Sequence, residues 1–304
     1  MGRGFVVDVI FMDFSKAFDR VSHSLLINKL RLQGFDHDLA NWIESFLVGR
    51  TMSVSVGGKL SSVRDVTSGV PQGSVLGPIL FLIYANFITK NVNSDWKAFA
   101  DDYKVCIFYP RSSPSQSVNV VRALQRDLDS ICSVSKSWNL RLNPAKYYAM
   151  RFGRAEIPTD EPISYYIEDQ ELQFVDSYRD LGVVVDSSLR FHQHIKVVAA
   201  KAGGLMGELL RSTVCRTKDF MVSIFVSHIR PMIDYCSCVW NVAYLEDVRR
   251  LESLQRRWTR EISGVEALEY VARLKAIGLY SIQGRLLRAD MVKIWKSFNG
   301  DIDV

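Results

Sequence analysis

The sequence predicts an α+β fold: an antiparallel sheet with helices on one face, followed by a helical region. Three observations predict it. Apolar, strand-like runs lead into Asp13 and into the pair Asp101-Asp102. Segments with helical periodicity separate those runs. From about residue 190 only helical patterning continues. The expected division is a sheet-containing domain over 1–190 and a helical domain over 191–304.

Phe5–Met12 is the first strand, ending at Asp13. Ser22 or Ser24 then caps a helix through Leu25, Leu26, Lys29 and Leu30, stopped at Gly34. Leu39, Trp42, Ile43, Phe46 and Leu47 form the stripe of a second amphipathic helix, stopped at Gly49. Met52, Val54 and Val56 alternate with serines before Gly57-Gly58, which reads as a hairpin. Ser68–Pro78 is a Gly/Pro-rich loop whose glycines let the backbone approach a ligand, and Gln72 can hydrogen-bond one. A helix over Ile79–Ile88 leads to the strand–turn–strand around Asp101-Asp102.

Residues 110–117 read as a polar loop, and Val118, Val121, Leu124, Leu128, Ile131 and Trp138 as one long amphipathic helix. Asn143–Lys146 is a turn, Tyr147–Phe152 a strand, and a loop with Pro158 and Pro162 leads to Tyr178–Val185. In 248–262, Val248, Leu251, Gln255, Trp258 and Ile262 share a face, with Arg249, Arg256 and Arg260 largely opposite.

The 304 residues are 48 % hydrophobic and 23 % charged, ordinary for one large domain or two. The formal net charge is +5, and the basic excess is clearest after residue 200, which is compatible with a polyanion partner. Cys106, Cys132, Cys215, Cys236 and Cys238 have no framework spacing and read as reduced thiols inside a cell. A zinc site from Cys236, Cys238 and His228 would lack a fourth ligand; the pair reads as two small buried residues. No signal peptide is expected at the start. The longest apolar run, Ile79–Ile88, is too short to span a bilayer and contains Asn86, so no membrane is expected.

Two adjacent carboxylates at a hairpin tip repel each other. They suit a solvated turn, or a site where a hard divalent cation lies between them. If the first strand lies beside the Asp-Asp hairpin, Asp13 joins them at one sheet edge, the layout that two-metal phosphoryl transfer uses.

Three patterns coincide in order: Phe11-Met-Asp13-Phe-Ser-Lys-Ala-Phe18-Asp19, Ser68-Gly-Val-Pro-Gln72-Gly-Ser-Val-Leu-Gly-Pro78 and Phe99-Ala-Asp101-Asp102. Together they resemble the reverse transcriptase of non-LTR (LINE-type) retrotransposons, nearest the jockey-like and chicken-repeat-like branch. The likeness continues through Trp138–Lys146, Leu181-Gly-Val, Arg230–Cys236 and Leu254–Trp258. It implies a right-hand polymerase palm with a helical thumb, an RNA template, a DNA primer and dNTPs. It implies Asp13 and Asp101 on two Mg²⁺ ions, with Mn²⁺ able to substitute, and Asp102 as a weaker ligand. Phe14, Phe18, Gly69, Pro71, Gln72 and Gly73 would contact nucleotide or template, with Phe18 excluding a 2′-hydroxyl. Lys146 would be a general acid toward pyrophosphate, Leu181-Gly182 the primer grip, and Arg249, Arg256 and Arg260 contacts to nucleic acid. Asp19 would be a structural acid. Nuclear localisation follows from the family's way of life.

Two departures qualify the likeness. The family's Tyr-x-Asn-Asp is here Tyr84-Ala-Asn86-Phe87, so an acid has become an aromatic. Asp13 is preceded by only twelve residues, so the fingers are expected to be largely missing and the chain to be a fragment. A catalytically inactive nucleic-acid-binding remnant is the alternative.

Overall fold

The computed structural model describes residues 5–110, 114–153, 163–241 and 244–300. The chain forms two compact units, divided between Asp176 and Ser177, upstream of the expected 190/191 boundary.

The first unit is built on a five-stranded sheet in the order Gln173–Phe174, Tyr148–Phe152, Phe5–Asp13, Asp102–Pro110, Asp95–Phe99. All neighbours are antiparallel except the short Gln173–Phe174 edge, which runs parallel to Tyr148–Phe152. Phe5–Asp13 is central; its even-numbered side chains from Val6 to Met12 are buried, while on the other face Phe5 is exposed and Val7 and Val9 are half-buried. Ile10 and Met12 join Tyr103, Val105 and Ala149 in a core closed by Leu26 and Leu30, Leu80 and Phe81, and Leu124, Leu128 and Ile131. These come from helices His23–Leu32, Leu76–Ala85 and Pro114–Ser137.

Local chemistry sets the helix ends. Ser22 is the N-cap of His23–Leu32, its hydroxyl accepting from the Leu25 amide, and Asp36 caps His37–Leu47. The buried face of that second helix is Ala40, Ile43 and Leu47. Leu39 and Trp42 of the expected stripe are instead 43 % and 56 % exposed, and Trp42 stacks on Phe46. The helix expected at Ile79–Ile88 is Leu76–Ala85. It starts early because the Ser74 hydroxyl accepts from the Gly77 amide at 2.9 Å. The next long helix begins at Pro114, inside the expected 110–117 loop, since a proline suits a helix's first turn. Residues 111–113, Pro158 and Pro162 lie outside the described residues.

One buried feature of the sheet escapes the strand pattern. Asp8 is fully buried and accepts two Arg151 guanidinium bonds at 2.7 Å, with the hydroxyls of Tyr165 at 2.7 Å and Tyr109 at 3.1 Å. A carboxylate is stable there only because donors fill its lone pairs.

The second unit opens with the hairpin Ser177–Asp180/Val183–Asp186, turned by Leu181 and Gly182 at φ 43° and 87°. Helices follow, including His192–Ser212, Leu245–Arg260, Tyr270–Ile277 and Ile282–Phe298. Val183 packs in one core with Ile195, Met206, Phe225, Trp240, Leu251 and Trp258. Glu252 is buried under Tyr270 and accepts from the amides of Ile282 and Gln283, which ties the last helix to Leu245–Arg260. Cys236 is half-buried and Cys238 exposed, flanking buried Ser237, so the expected pair of buried cysteines is corrected. All five cysteines are free thiols.

Candidate active site

The pairing of Phe5–Asp13 with Asp102–Pro110 sets Asp13 directly opposite Asp102. Asp101 occupies the turn between Asp95–Phe99 and Asp102–Pro110, next to Ala100, which holds a left-handed φ of 55°. The three acids therefore share one end of the sheet. Beyond Asp13 the chain continues to pair: its carbonyl accepts from Asn143 at 2.9 Å, Phe14 bridges Leu142, and the Ser15 amide donates to Arg141 at 2.8 Å. This sews the Asn143–Lys146 turn to the strand end and brings Lys146 to the acids.

The electrostatics are those of crowded carboxylates. Asp13 is 4 % exposed and pairs with the Lys146 ammonium, whose side chain is 58 % exposed. The hydrogen bond that Lys146 donates to the Asp13 carboxylate holds the Lys146 pKa above the ordinary lysine value. Burial raises the Asp101 pKa, the Asp13 charge adds to that, and Lys146 opposes it. Burial, then Asp101, pushes the Tyr103 hydroxyl up to about 12. Among the described residues no three His, Cys, Asp or Glu side chains are drawn together as a metal site. Like-charged carboxylates close up only around a cation, and the cation at Asp13 is an ammonium. The donor set, carboxylate oxygens that hold a positive charge, fits a hard divalent ion.

The expected nucleotide-side residues form a second cluster. Phe18 stacks on Phe81 with ring centroids 4.4 Å apart. Phe14 is buried against Tyr103, edge to face at 5.3 Å, so its side chain serves the core. The Gly-rich loop is fastened to the segment after Asp13: the Val70 amide donates to the Phe18 carbonyl at 2.9 Å and the Gly69 amide to that of Val21 at 2.8 Å. The Gly69 carbonyl is held by the His23 ring at 2.9 Å and by Arg50 at 2.6 Å. Pro71 turns the loop, its carbonyl accepting from the Ser74 hydroxyl at 2.7 Å, and Gly73 follows at φ 82°. His23 and Arg50 are absent from the sequence reading. Their only advance signal was a His and an Arg at helix boundaries, which is not specific.

In the second unit, the Leu181 carbonyl accepts from the Tyr235 hydroxyl at 2.8 Å, and a Cβ on Gly182 would meet that ring at 3.4 Å. Arg249 and Arg260 are exposed. Arg256 is also exposed but lies 4.1 Å from the Tyr270 ring centroid, so it has a packing role.

Comparison with known proteins gives the following. A family model described as reverse transcriptase (RNA-dependent DNA polymerase) matches residues 8–185. The RNA-directed DNA polymerase from mobile element jockey of Drosophila funebris is 31 % identical over 265 residues, 84 % of this chain and 28 % of that protein. Its Drosophila melanogaster counterpart is 29 % identical, and the probable RNA-directed DNA polymerase from transposon X-element of that species 26 %, with the same coverage. The chain thus spans 28 % of the length of these curated relatives. Among solved structures, telomerase from Candida tropicalis with a fragment of telomeric RNA aligns at a TM-score of 0.45 and 11 % identity, covering 96 % of this chain and 47 % of that one.

Proposed function

The chain belongs to the reverse transcriptase (RNA-dependent DNA polymerase) family, and we propose that it carries the palm and thumb chemistry of a non-LTR retrotransposon's RNA-directed DNA polymerase. The observation that carries this reading is the register of Asp13 against Asp102, with Asp101 in the adjoining turn. Reverse transcriptases use divalent metal ions; here the proposed ions are Mg²⁺, with Mn²⁺ as a substitute, held by Asp13 and Asp101. Such ions lower the pKa of a primer 3′-hydroxyl and stabilise charge on the transferred phosphoryl group.

The residues supply the rest. Asp13 and Asp101 concentrate negative charge at the sheet end, and Asp102 adds to it across the strand pair. Lys146 keeps its proton because Asp13 stabilises the ammonium; released from Asp13, it is a proton donor for a leaving pyrophosphate. Phe18, stacked on Phe81, is a rigid wall that favours deoxynucleotides over ribonucleotides. Template RNA and primer DNA are the proposed partners, with Arg249 and Arg260 on their phosphates.

Primer extension on an RNA template, with Mn²⁺ and then Mg²⁺, tests this. Extension by the parent chain and none by Asp101→Ala is the expected result; extension by both would remove the assignment of the acids.

Phe87 favours a second reading, a nucleic-acid-binding remnant without catalysis, because it replaces the family's acid beside the Lys29 ammonium. That reading predicts salt-sensitive duplex binding that is the same in the parent and in Asp101→Ala.

A further inference from the structure

His23 and Arg50 meet at one backbone oxygen, the carbonyl of Gly69. His23 opens the helix His23–Leu32 and is 9 % exposed. Its ring nitrogen Nε2 lies 2.9 Å from that oxygen, and Arg50 Nη2 lies 2.6 Å from it. A carbonyl oxygen only accepts, so Nε2 carries a hydrogen. The 3.4 Å between Nε2 and Arg50 Nη2 is therefore the spacing of two donors that share an acceptor. Together they fill both lone pairs of the Gly69 oxygen. Arg50 is itself fixed: its Nε donates at 2.8 Å to the carbonyl of Leu47, the last residue of the helix His37–Leu47.

The other side of the same peptide is also held. A peptide unit is a rigid plane, and its trans form points the carbonyl and the amide in opposite directions. The carbonyl belongs to Gly69 and the amide to Val70, which donates to the Phe18 carbonyl at 2.9 Å. Turning that plane breaks bonds at both ends. The loop also rests on Asp19. A Cβ on Gly69 would lie 2.8 Å from the Asp19 Cα, so the two backbones touch. The Ser68 hydroxyl donates to the Asp19 carbonyl at 2.8 Å, and the Gln72 side-chain amide to the Asp19 carboxylate at 2.9 Å. Phe18 is thus supported from two directions. Phe81 backs its ring, and a peptide pinned by His23 and Arg50 holds its backbone.

We propose that His23 and Arg50 are positioning residues for nucleotide selection. Acting through the Gly69–Val70 peptide, they fix where Phe18 stands, and so how strictly ribonucleotides are refused. This rests on the reading that Phe18 bounds the sugar of the incoming nucleotide. A wall refuses one extra hydroxyl only while it does not yield, and a pinned backbone keeps it from yielding.

The test uses the full chain and the substitutions His23→Gln, His23→Leu and Arg50→Ala. Glutamine can place an N–H donor where His23 Nε2 stands; leucine has none. Primer extension gives kcat/KM for a dNTP and for the matching rNTP. In His23→Leu and Arg50→Ala the dNTP/rNTP ratio is expected to fall about tenfold, the worth of roughly one hydrogen bond. His23→Gln is expected to keep the parent ratio. A proportional loss with both nucleotides, or equal damage by glutamine and leucine, overturns the proposal.

A second readout does not need turnover. The Val70 amide is expected to exchange its hydrogen about tenfold faster in His23→Leu and Arg50→Ala, and at the parent rate in His23→Gln. Amides of the central strand Phe5–Asp13 that keep their parent rates show that the fold is intact. Unchanged exchange at Val70 overturns the proposal whether or not extension occurs. If the parent does not extend a primer while Val70 responds as expected, the polymerase reading falls and the clamp stands.

Discussion

The Lys29 ammonium lies 3.9 Å from the ring centroid of Phe87 and 5.1 Å from that of Trp138. Its other partners are the Tyr84 carbonyl at 3.3 Å and the Asn86 side-chain oxygen. None of these is a carboxylate. A buried lysine is thus held by ring faces and neutral oxygens where the family pattern has an acid. Burial lowers its pKa to about 8.

The folded chain therefore binds fewer protons than the unfolded chain between about pH 8 and 10, and stability rises with pH across that window. Phe87→Asp supplies a counter-ion, lifts the Lys29 pKa and flattens the rise. Urea unfolding at pH 7.5, 8.5 and 9.5 on both proteins checks this; an unchanged slope in the variant would refute it.

Asp8→Asn strips the charge that Arg151 needs while leaving the guanidinium half of the pair inside the sheet unit. Breaking a buried pair on one side costs about 3–5 kcal/mol. Asp8 and Asp13 are an odd number of residues apart on one strand and face opposite sides of the sheet. The expected result is a lower urea midpoint with metal affinity unchanged once the chain is folded, read by calorimetry.

Lys146 holds the Asp101 pKa down, against burial and against Asp13. Removing it in Lys146→Ala raises that pKa further. A carboxylate must be ionised to hold a metal, so activity is lost as pH falls through its pKa. The acid limb of the extension rate should move to higher pH in Lys146→Ala, and the plateau should drop about 100-fold if the proton donor is lost. A lower plateau with an unmoved limb would separate the two roles and remove the electrostatic one.

Gly69 and Gly73 both have left-handed φ, at 88° and 82°, but differ in their surroundings. A Cβ on Gly69 meets the Asp19 backbone at 2.8 Å, whereas one on Gly73 meets nothing within 4 Å. Gly73→Ala should cost only the left-handed penalty, about 1–2 kcal/mol. Gly69→Ala should cost more and detach the loop, seen as faster hydrogen exchange at the Gly69-to-Val21 and Val70-to-Phe18 bonds. Equal costs at the two positions would mean that the loop does not bear on Asp19.

What the sequence revealed follows from the range of each interaction. The acids at the sheet end were legible because continuous apolar runs mark the strands, and a run ending in an acid places that acid at the strand's end. Asp8 was not, because the partners that make it tolerable are distant: Arg151 is 143 residues away and Tyr165 157. His23 and Arg50 were missed for the same reason, since their target is a backbone carbonyl and carries no residue signature. Leu39 and Trp42 misled because a helical stripe says which side chains share a face, not how much of that face a neighbour covers.

The excursion from Thr51 to Asp65 has both ends pinned. The Val66 amide donates to the Arg50 carbonyl at 2.8 Å, and Arg50 in turn grips Gly69. Every strand residue within it is exposed. Lengthening a loop whose base is already closed adds little entropy cost. Gly57-Gly58, at its tip, is therefore a natural insertion point for a fluorescent protein or an affinity handle. A reporter grafted there would be carried outside the pinned base, leaving Phe18, Asp19 and Gln72 in register.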